Sequence, residues 1–209
     1  MTEASLQALS VLRSTENLQW YVVPLLVLIL YIYITEIEKK NWGAILLGIY
    51  SFANGWILEM VNALVLHFTD YAALWSTPSN SAYVIYVGWN AEIFFLAAIG
   101  GLIVVKSLPE DRDMEILGIK NRIIIPIFWA VFAVGIEILL NRAGILVWEY
   151  THWSWPRVYF IVIWWTIPYF GLVRMYDKTP MKTKKRLAVI FPIIAVVMHV
   201  VFASILKWI

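Results

Sequence analysis

Apolar residues fill six long blocks of this chain, at residues 20–37, 43–66, 83–106, 122–147, 157–175 and 187–208, with short polar connections between them. Each block supplies the roughly 20 residues that a helix needs to cross about 30 Å of hydrocarbon. The pattern predicts six membrane-spanning helices within a single transmembrane domain at residues 20–209. Ahead of them, residues 1–19 carry a mild apolar stripe through Leu6, Leu9, Val11 and Leu12. That stripe fits a short interfacial helix and equally a frayed terminus. The first block does not read as a signal peptide: Glu36, Glu38, Lys39 and Lys40 follow it, and no small-residue cleavage site does.

Composition agrees with the pattern. Hydrophobic residues make up 62% of the chain and charged residues 14%, outside the range of soluble globular domains. The chain has no cysteine, which excludes disulfides, thiol nucleophiles, Cys-ligated zinc and iron–sulfur clusters. His67, His152 and His199 lack the paired spacing of a metal site, and no Ser or Thr has a histidine partner for a triad. Phosphate-loop, dinucleotide and nucleic-acid signatures are absent. No metal, cofactor or nucleic acid is expected, although three glutamates with asparagine oxygens could hold a hard cation. The expected partners are membrane lipids and an apolar, lipid-soluble substrate.

What the blocks fail to exclude is more informative. Glu59, Glu92, Glu137 and Arg142, with Asn54, Asn62, Asn90 and Asn141, all lie inside them. Ionisable groups at such depth cost a few kcal/mol or more, so they normally face a bundle interior and serve a function. Glu59 and Asn62 share one helix face, as do Glu137 and Asn141. If the blocks are helices throughout, all three glutamates occupy one layer, roughly 10–16 Å from one end of the bundle. Arg142 would turn into that layer or snorkel outwards.

An internal repeat accompanies this layer. Glu59 and Glu137 are each followed by an Asn (Asn62, Asn141), then by an acid–Tyr pair (Asp70-Tyr71, Glu149-Tyr150). Each also has a Trp sixteen residues on (Trp75, Trp153) and a Pro nineteen on (Pro78, Pro156). The predicted fold is therefore all-α, with six transmembrane helices and a two-fold parallel repeat relating helices 2–3 to helices 4–5. The interfacial aromatic belt accounts for some of the Trp and Tyr residues, but not for the Glu–Asn pairs.

The stretch Glu137-Ile-Leu-Leu-Asn-Arg-Ala-Gly-Ile-Leu-Val-Trp-Glu-Tyr150 resembles the acid, Gly, Trp-x-Tyr pattern of the lycopene cyclase domain family. Trp89-Asn-Ala-Glu-Ile-Phe-Phe95 is similar to that family's acidic segment, with Asn90 in place of its Pro and Glu92 as the one acid retained. Trp164-Trp-Thr-Ile-Pro-Tyr-Phe170 keeps a Pro and has no acid. Asn54-Gly-Trp-Ile-Leu-Glu59 is more loosely similar to small integral-membrane terpene cyclases. The resemblance implies two related three-helix units and cyclisation of a carotenoid or other isoprenoid.

Such chemistry suits the residues without the resemblance. A neutral buried carboxylic acid protonates an olefin, and aromatic faces shield the cation that forms. The candidate catalytic residues are Glu59, Glu92 and Glu137, with Glu59 as proton donor. The candidate substrate-binding residues are Asn54, Asn62, Asn90, Asn141 and Arg142, with Tyr71, Tyr150, Trp89 and Trp164. Two other readings stay open: a proton- or cation-conducting transporter or channel, and an accessory subunit whose polar layer joins helices.

Basic residues set the orientation. Twelve of the sixteen Lys and Arg fall in the connections at 36–42, 106–122 and 174–186, whereas the opposite side has Arg13, Arg157 and Lys207. The run Lys178-Thr-Pro-Met-Lys-Thr-Lys-Lys-Arg186 binds anionic headgroups or serves only as an orientation signal. A multi-pass cell-membrane protein with both termini outside follows from the positive-inside rule. Tags at either terminus should then be accessible on intact cells, and a tag near Lys182 only after permeabilisation. A cytoplasmic terminus would overturn this topology.

Overall fold

The computed structural model describes residues 1–16, 18–78 and 81–209. The chain is mostly helical, at 67%, with seven α-helices among these residues. Three helices are long and apolar enough to cross a membrane: Trp42–Thr69, Asn121–Arg142 and Met181–Ile205. The first helix, α1 (Glu3–Ser10), is capped by Thr2, whose hydroxyl accepts from the Ser5 amide at 3.4 Å. Residue 17 of the N-terminal segment lies outside the described residues.

Helix α2 (Val22–Glu38) leads through a short connection into α3 (Trp42–Thr69), which Asn41 caps and Asp70 ends in the left-handed conformation, φ 50°. Helix α4 (Ala91–Lys106) follows, then α5 (Asn121–Arg142), α6 (Tyr159–Lys178) and α7 (Met181–Met198), which continues as a π-helical turn at His199–Ile205. Helix α3 packs between α4 and α7, and α5 pairs with α6. The core forms two main clusters, one around Met60, Tyr86 and Trp89 and one around Leu47, Leu102 and Leu172.

Between the helices the mostly helical chain carries strands of only two or three residues. Short antiparallel ladders join β1 (Trp75–Ser76) to β6 (Val147–Trp148), β2 (Val84–Tyr86) to β3 (Trp89–Asn90), and β4 (Glu115–Ile116) to β5 (Ile119–Lys120). Leu117 and Gly118 turn the last hairpin with φ of 53° and 75°, the positive values that a two-residue hairpin turn requires. The predicted span at 83–106 is corrected by the second hairpin. Residues 84–90 form a hairpin, strands 84–86 and 89–90 about a turn, and α4 begins only where the Asn90 side chain accepts from the Ile93 amide at 2.9 Å. Likewise the predicted span at 122–147 ends at Arg142: Asn141 Nδ2 donates to the Leu146 carbonyl at 2.9 Å, and Gly144 turns at φ 71°.

Polar networks close both ends of the bundle. At the basic end, buried Glu36 meets Lys106 at 3.2 Å, Lys39 at 3.5 Å and the Asn41 amide at 2.9 Å, tying α2 to α3 and α4. Asp177 of α6 receives Arg122 of α5 at 3.0 Å and Arg112 at 3.3 Å. At the other end, one oxygen of Glu149 accepts from Thr2 at 2.8 Å and from Ser5 and Ser76 at 3.1 Å each. This docks α1 onto the β1–β6 ladder and buries Ser5 and Ala8.

Asn62 holds the connection that follows α3. Its Oδ1 accepts from the Leu74 amide at 2.7 Å and the Trp75 amide at 3.4 Å, and its Nδ2 donates to the Trp75 carbonyl at 2.9 Å. Gly88 packs so close that a Cβ there would collide with Asn62 and Trp75. Replacing Asn62 with Ala leaves those backbone groups unmatched in the interior and should cost about 2 kcal/mol or more. Asn54, half-buried and without a hydrogen bond among the described residues, should tolerate Ala within about 0.5 kcal/mol. Thermal unfolding of both variants in detergent checks this, and equal losses would contradict it.

Candidate functional site

Four helices enclose one cavity of about 230 Å³. Glu59 and Ser51 reach it from α3, Leu96 and the Gly100–Gly101 pair from α4, Glu137 from α5, and Trp165 and Tyr169 from α6. The wall is predominantly apolar and aromatic, with Trp75, Trp89, Trp129, Trp153 and Trp164 contributing indole rings. Glycine at 101 keeps α4 against α3, because a Cβ there would strike the Ser51 side chain. Leu96 and Phe132 both line the cavity and are 43% and 50% exposed on the bundle's flank. Helices α4 and α5 touch little, so the cavity opens sideways between them.

Both carboxylates are served by indole N–H groups. Trp75 Nε1 donates to the two oxygens of Glu59 at 3.3 and 3.1 Å, and Trp165 Nε1 donates to Glu137 Oε1 at 2.5 Å. Glu59 is buried at 8% exposure; Glu137 is half-buried. Trp75 itself is fixed by the Asn62 clamp, by pairing with Trp148 in the β1–β6 ladder and by stacking on Trp153, with ring centroids 5.9 Å apart at 24°. Trp164 in turn meets Trp153 in an edge-to-face arrangement with centroids 5.3 Å apart. A continuous aromatic wall therefore runs from the Glu59 side to α6.

Of the candidate catalytic and substrate-binding residues, Glu59, Glu137, Trp89 and Trp164 line this cavity, as do Trp75 and Trp153 of the repeat. Glu92 does not. It lies in the first turn of α4, where Oε1 accepts from the Tyr21 hydroxyl and from the Ala82 amide at 3.0 Å, pinning the start of α2 to the connection. Its Oε2 is buried without a partner among the described residues. The three glutamates thus do not form one layer, because the hairpin at 84–90 replaces the helical turns that would have carried Glu92 deeper.

Asn62, Asn90 and Asn141 serve backbone rather than cavity, and Asn54, without a hydrogen bond among the described residues, does not line the cavity either. Asn62 and Asn141 hold the connections after α3 and α5, and Asn90 caps α4 with its Nδ2 buried and without a partner among the described residues. Arg142 is exposed and lies over the Trp155 ring at 5.9 Å, not beside Glu137. Tyr71 and Tyr150 meet edge to face at 5.9 Å, and the Tyr150 hydroxyl donates to the Ala72 carbonyl at 3.1 Å. Neither tyrosine lines the cavity. Trp165, Tyr169 and Trp129 were not legible as site residues. Trp165 stands 28 positions from Glu137, and only the packing of α5 on α6 brings them together.

Among the described residues, no group of three or more His, Asp and Glu side chains is placed to hold a metal ion. The carboxylates and the aromatic wall instead offer proton transfer and contact with an apolar or cationic carbon framework.

Comparison with known proteins places the chain. No solved structure matches it. It is 41% identical over 210 residues to an uncharacterized protein of Archaeoglobus fulgidus, an alignment that covers 100% of this chain and 99% of that protein. Residues 2–204 match the model of an uncharacterized membrane protein family. These matches overturn the resemblance to the lycopene cyclase domain family, which rested on short runs of acid, Gly and aromatic residues; membrane chains often repeat such aromatics where helices meet the interface. The chain belongs to this uncharacterized membrane protein family.

Proposed function

We propose that the cavity between Glu59 and Glu137 is an acid–base site for an unsaturated, isoprenoid-like molecule that enters from the bilayer. The observation that carries the reading is the placement of two carboxylates from different helices on one apolar, indole-walled cavity with a lateral opening. One carboxylic acid delivers a proton to a double-bond carbon, and the cation that forms lies against indole faces. Loss of a proton from a neighbouring carbon to the second carboxylate completes the step, with no net change in atoms or oxidation state. The product is an isomer of the substrate, cyclic or with a shifted double bond.

Glu59 is assigned as the donor, being the more enclosed of the two, with no cation paired to it among the described residues. Glu137, on the more open wall, is assigned as the acceptor. The ion-conducting reading has less support. Towards the basic end the cavity is lined by Gly55, Gly100, Gly101 and Ile103 with two hydroxyls, Ser51 and Tyr169, and no charged side chain, which is a poor path for a hydrated ion.

Six spans with both termini outside remain part of this proposal. Helices α2 and α4, at 17 and 16 residues, would cross with their connections embedded in the interface. So does the two-fold repeat, which is supported by the contacts between matched residues, Trp75 with Trp153 and Tyr71 with Tyr150.

Expression in a polyene-producing host, followed by lipid extraction, tests the activity. The expected product has the mass of its precursor and a new retention time. Glu59→Gln and Glu137→Gln keep the shape but remove the proton-transferring group, and each should lower turnover by about 100-fold or more. Full activity in both variants would remove the carboxylates from the mechanism.

A further inference from the structure

A second cavity, of about 270 Å³, lies where the π-helical turn after α7 meets the segment that follows α1. It is lined by Arg13, Tyr83, Ile85, His199, Ala203 and Ser204. No carboxylate is among these residues, and the polar ones all bring hydrogen-bond donors. The histidine's contribution follows from its neighbours. Trp56 Nε1 can only donate, and it donates to the Tyr86 hydroxyl at 2.8 Å. The one proton of Tyr86 is then left for His199 Nδ1, 2.5 Å away. With Tyr86 donating to Nδ1, the imidazole Nε2 carries hydrogen, and no protein acceptor takes that hydrogen among the described residues.

Arg13 is positioned at a cost. Its backbone is left-handed at φ 57°, a conformation that costs a non-glycine residue of order 1 kcal/mol or more. It is held there by its own amide, which donates to the Val84 carbonyl at 2.8 Å, and by the bridge between Leu12 and Val84. The guanidinium lies 5.7 Å from the Tyr86 ring centroid and, among the described residues, donates once, to the main-chain oxygen of Ile209, the last residue of the sequence, at 3.1 Å. Among the described residues it meets no carboxylate side chain. The π-helical turn widens the backbone beside it, a feature frequent at functional sites. The cavity holds far more than one water's share of about 30 Å³.

We infer that this second cavity binds a phosphate-class oxyanion, with the Arg13 guanidinium supplying the charge and His199 Nε2, the Tyr83 hydroxyl and the Ser204 hydroxyl supplying neutral donors. Donors converging from three separate chain segments match the several oxygens of a tetrahedral anion better than the two of a carboxylate. The cavity lies at the bundle end opposite the basic connections, where lipid headgroups would also lie. The anion is then a phospholipid headgroup or a free phosphate. This site does not depend on the acid–base reading of the larger cavity.

The full chain, purified in detergent, is titrated with inorganic phosphate against chloride at matched ionic strength while its thermal unfolding is followed. In parallel, protein taken from vesicles of equal phosphatidylglycerol and phosphatidylcholine is examined by native mass spectrometry for retained lipid. Saturable stabilisation by phosphate identifies the free anion, and selective retention of phosphatidylglycerol identifies a headgroup. Either should weaken about tenfold or more in Arg13→Gln, the expected loss for a charge-assisted contact. Tyr83→Phe and Ser204→Ala, which spare the Arg13 contacts to Tyr86 and Ile209, should weaken it severalfold and keep the test valid if Arg13→Gln fails to fold. Absence of both signals would overturn the site, as would binding that is unchanged in all folded variants. In that case Arg13 only fastens Ile209 to the bundle.

Discussion

A carboxylate placed inside an apolar bundle has to be given hydrogen-bond donors, since an unmatched buried charge costs several kcal/mol. At Glu59 the donor is the indole of Trp75, sixteen residues further along and outside the helix that carries the acid. The connection after α3 must therefore turn back over the bundle and stay there. Asn62 fixes it through both the amides and a carbonyl of residues 74 and 75, and the Trp75–Trp148 ladder ties it to the connection after α5. Once Trp75 is set, its stacking on Trp153 carries the aromatic wall across to α6, where Trp165 serves Glu137.

The two ends of the bundle support that arrangement in different ways. Ion pairs around Glu36 and Asp177 lock the helix ends at the basic side without entering the cavity. At the other side the hydroxyls of Thr2, Ser5 and Ser76 converge on Glu149, so α1 covers the β1–β6 ladder. Between these ends the helices are held by packing and by a few side-chain hydrogen bonds, among them Trp165 to Glu137 and Tyr33 to the Ala98 carbonyl. A gap between α4 and α5 is affordable because lipid, rather than water, would face it.

Much of this was readable in the hydrophobic pattern: the positions of α2, α3, α5, α6 and α7, and the two glutamates that face each other across the cavity. The spacing of Trp75 from Glu59 was visible too, though not its hydrogen bond. What the pattern concealed was the hairpin at 84–90. Tyr, Val, Ile and Trp are apolar enough to pass for a membrane span, and strand and buried helix cannot be separated there by hydropathy. That single misreading moved Glu92 into a layer it does not occupy. Arg142, Asn62, Asn90 and Asn141 lie off the cavity for another reason: a polar residue near a helix end as often serves the backbone or an interfacial ring as it serves a site. The partnership of Trp165 with Glu137 depends on how α5 packs against α6, and no local spacing encodes it.

The central claim is that Glu59 and Glu137 face a cavity reached from lipid and closed to water. Reaction of the membrane-embedded chain with an apolar carbodiimide, compared with a water-soluble charged one, tests it directly by peptide mass mapping. The account predicts that the apolar reagent modifies Glu59 and Glu137 and that the charged reagent spares them while modifying exposed acids such as Asp113. Modification of Glu59 and Glu137 by the charged reagent, or by neither, would contradict it.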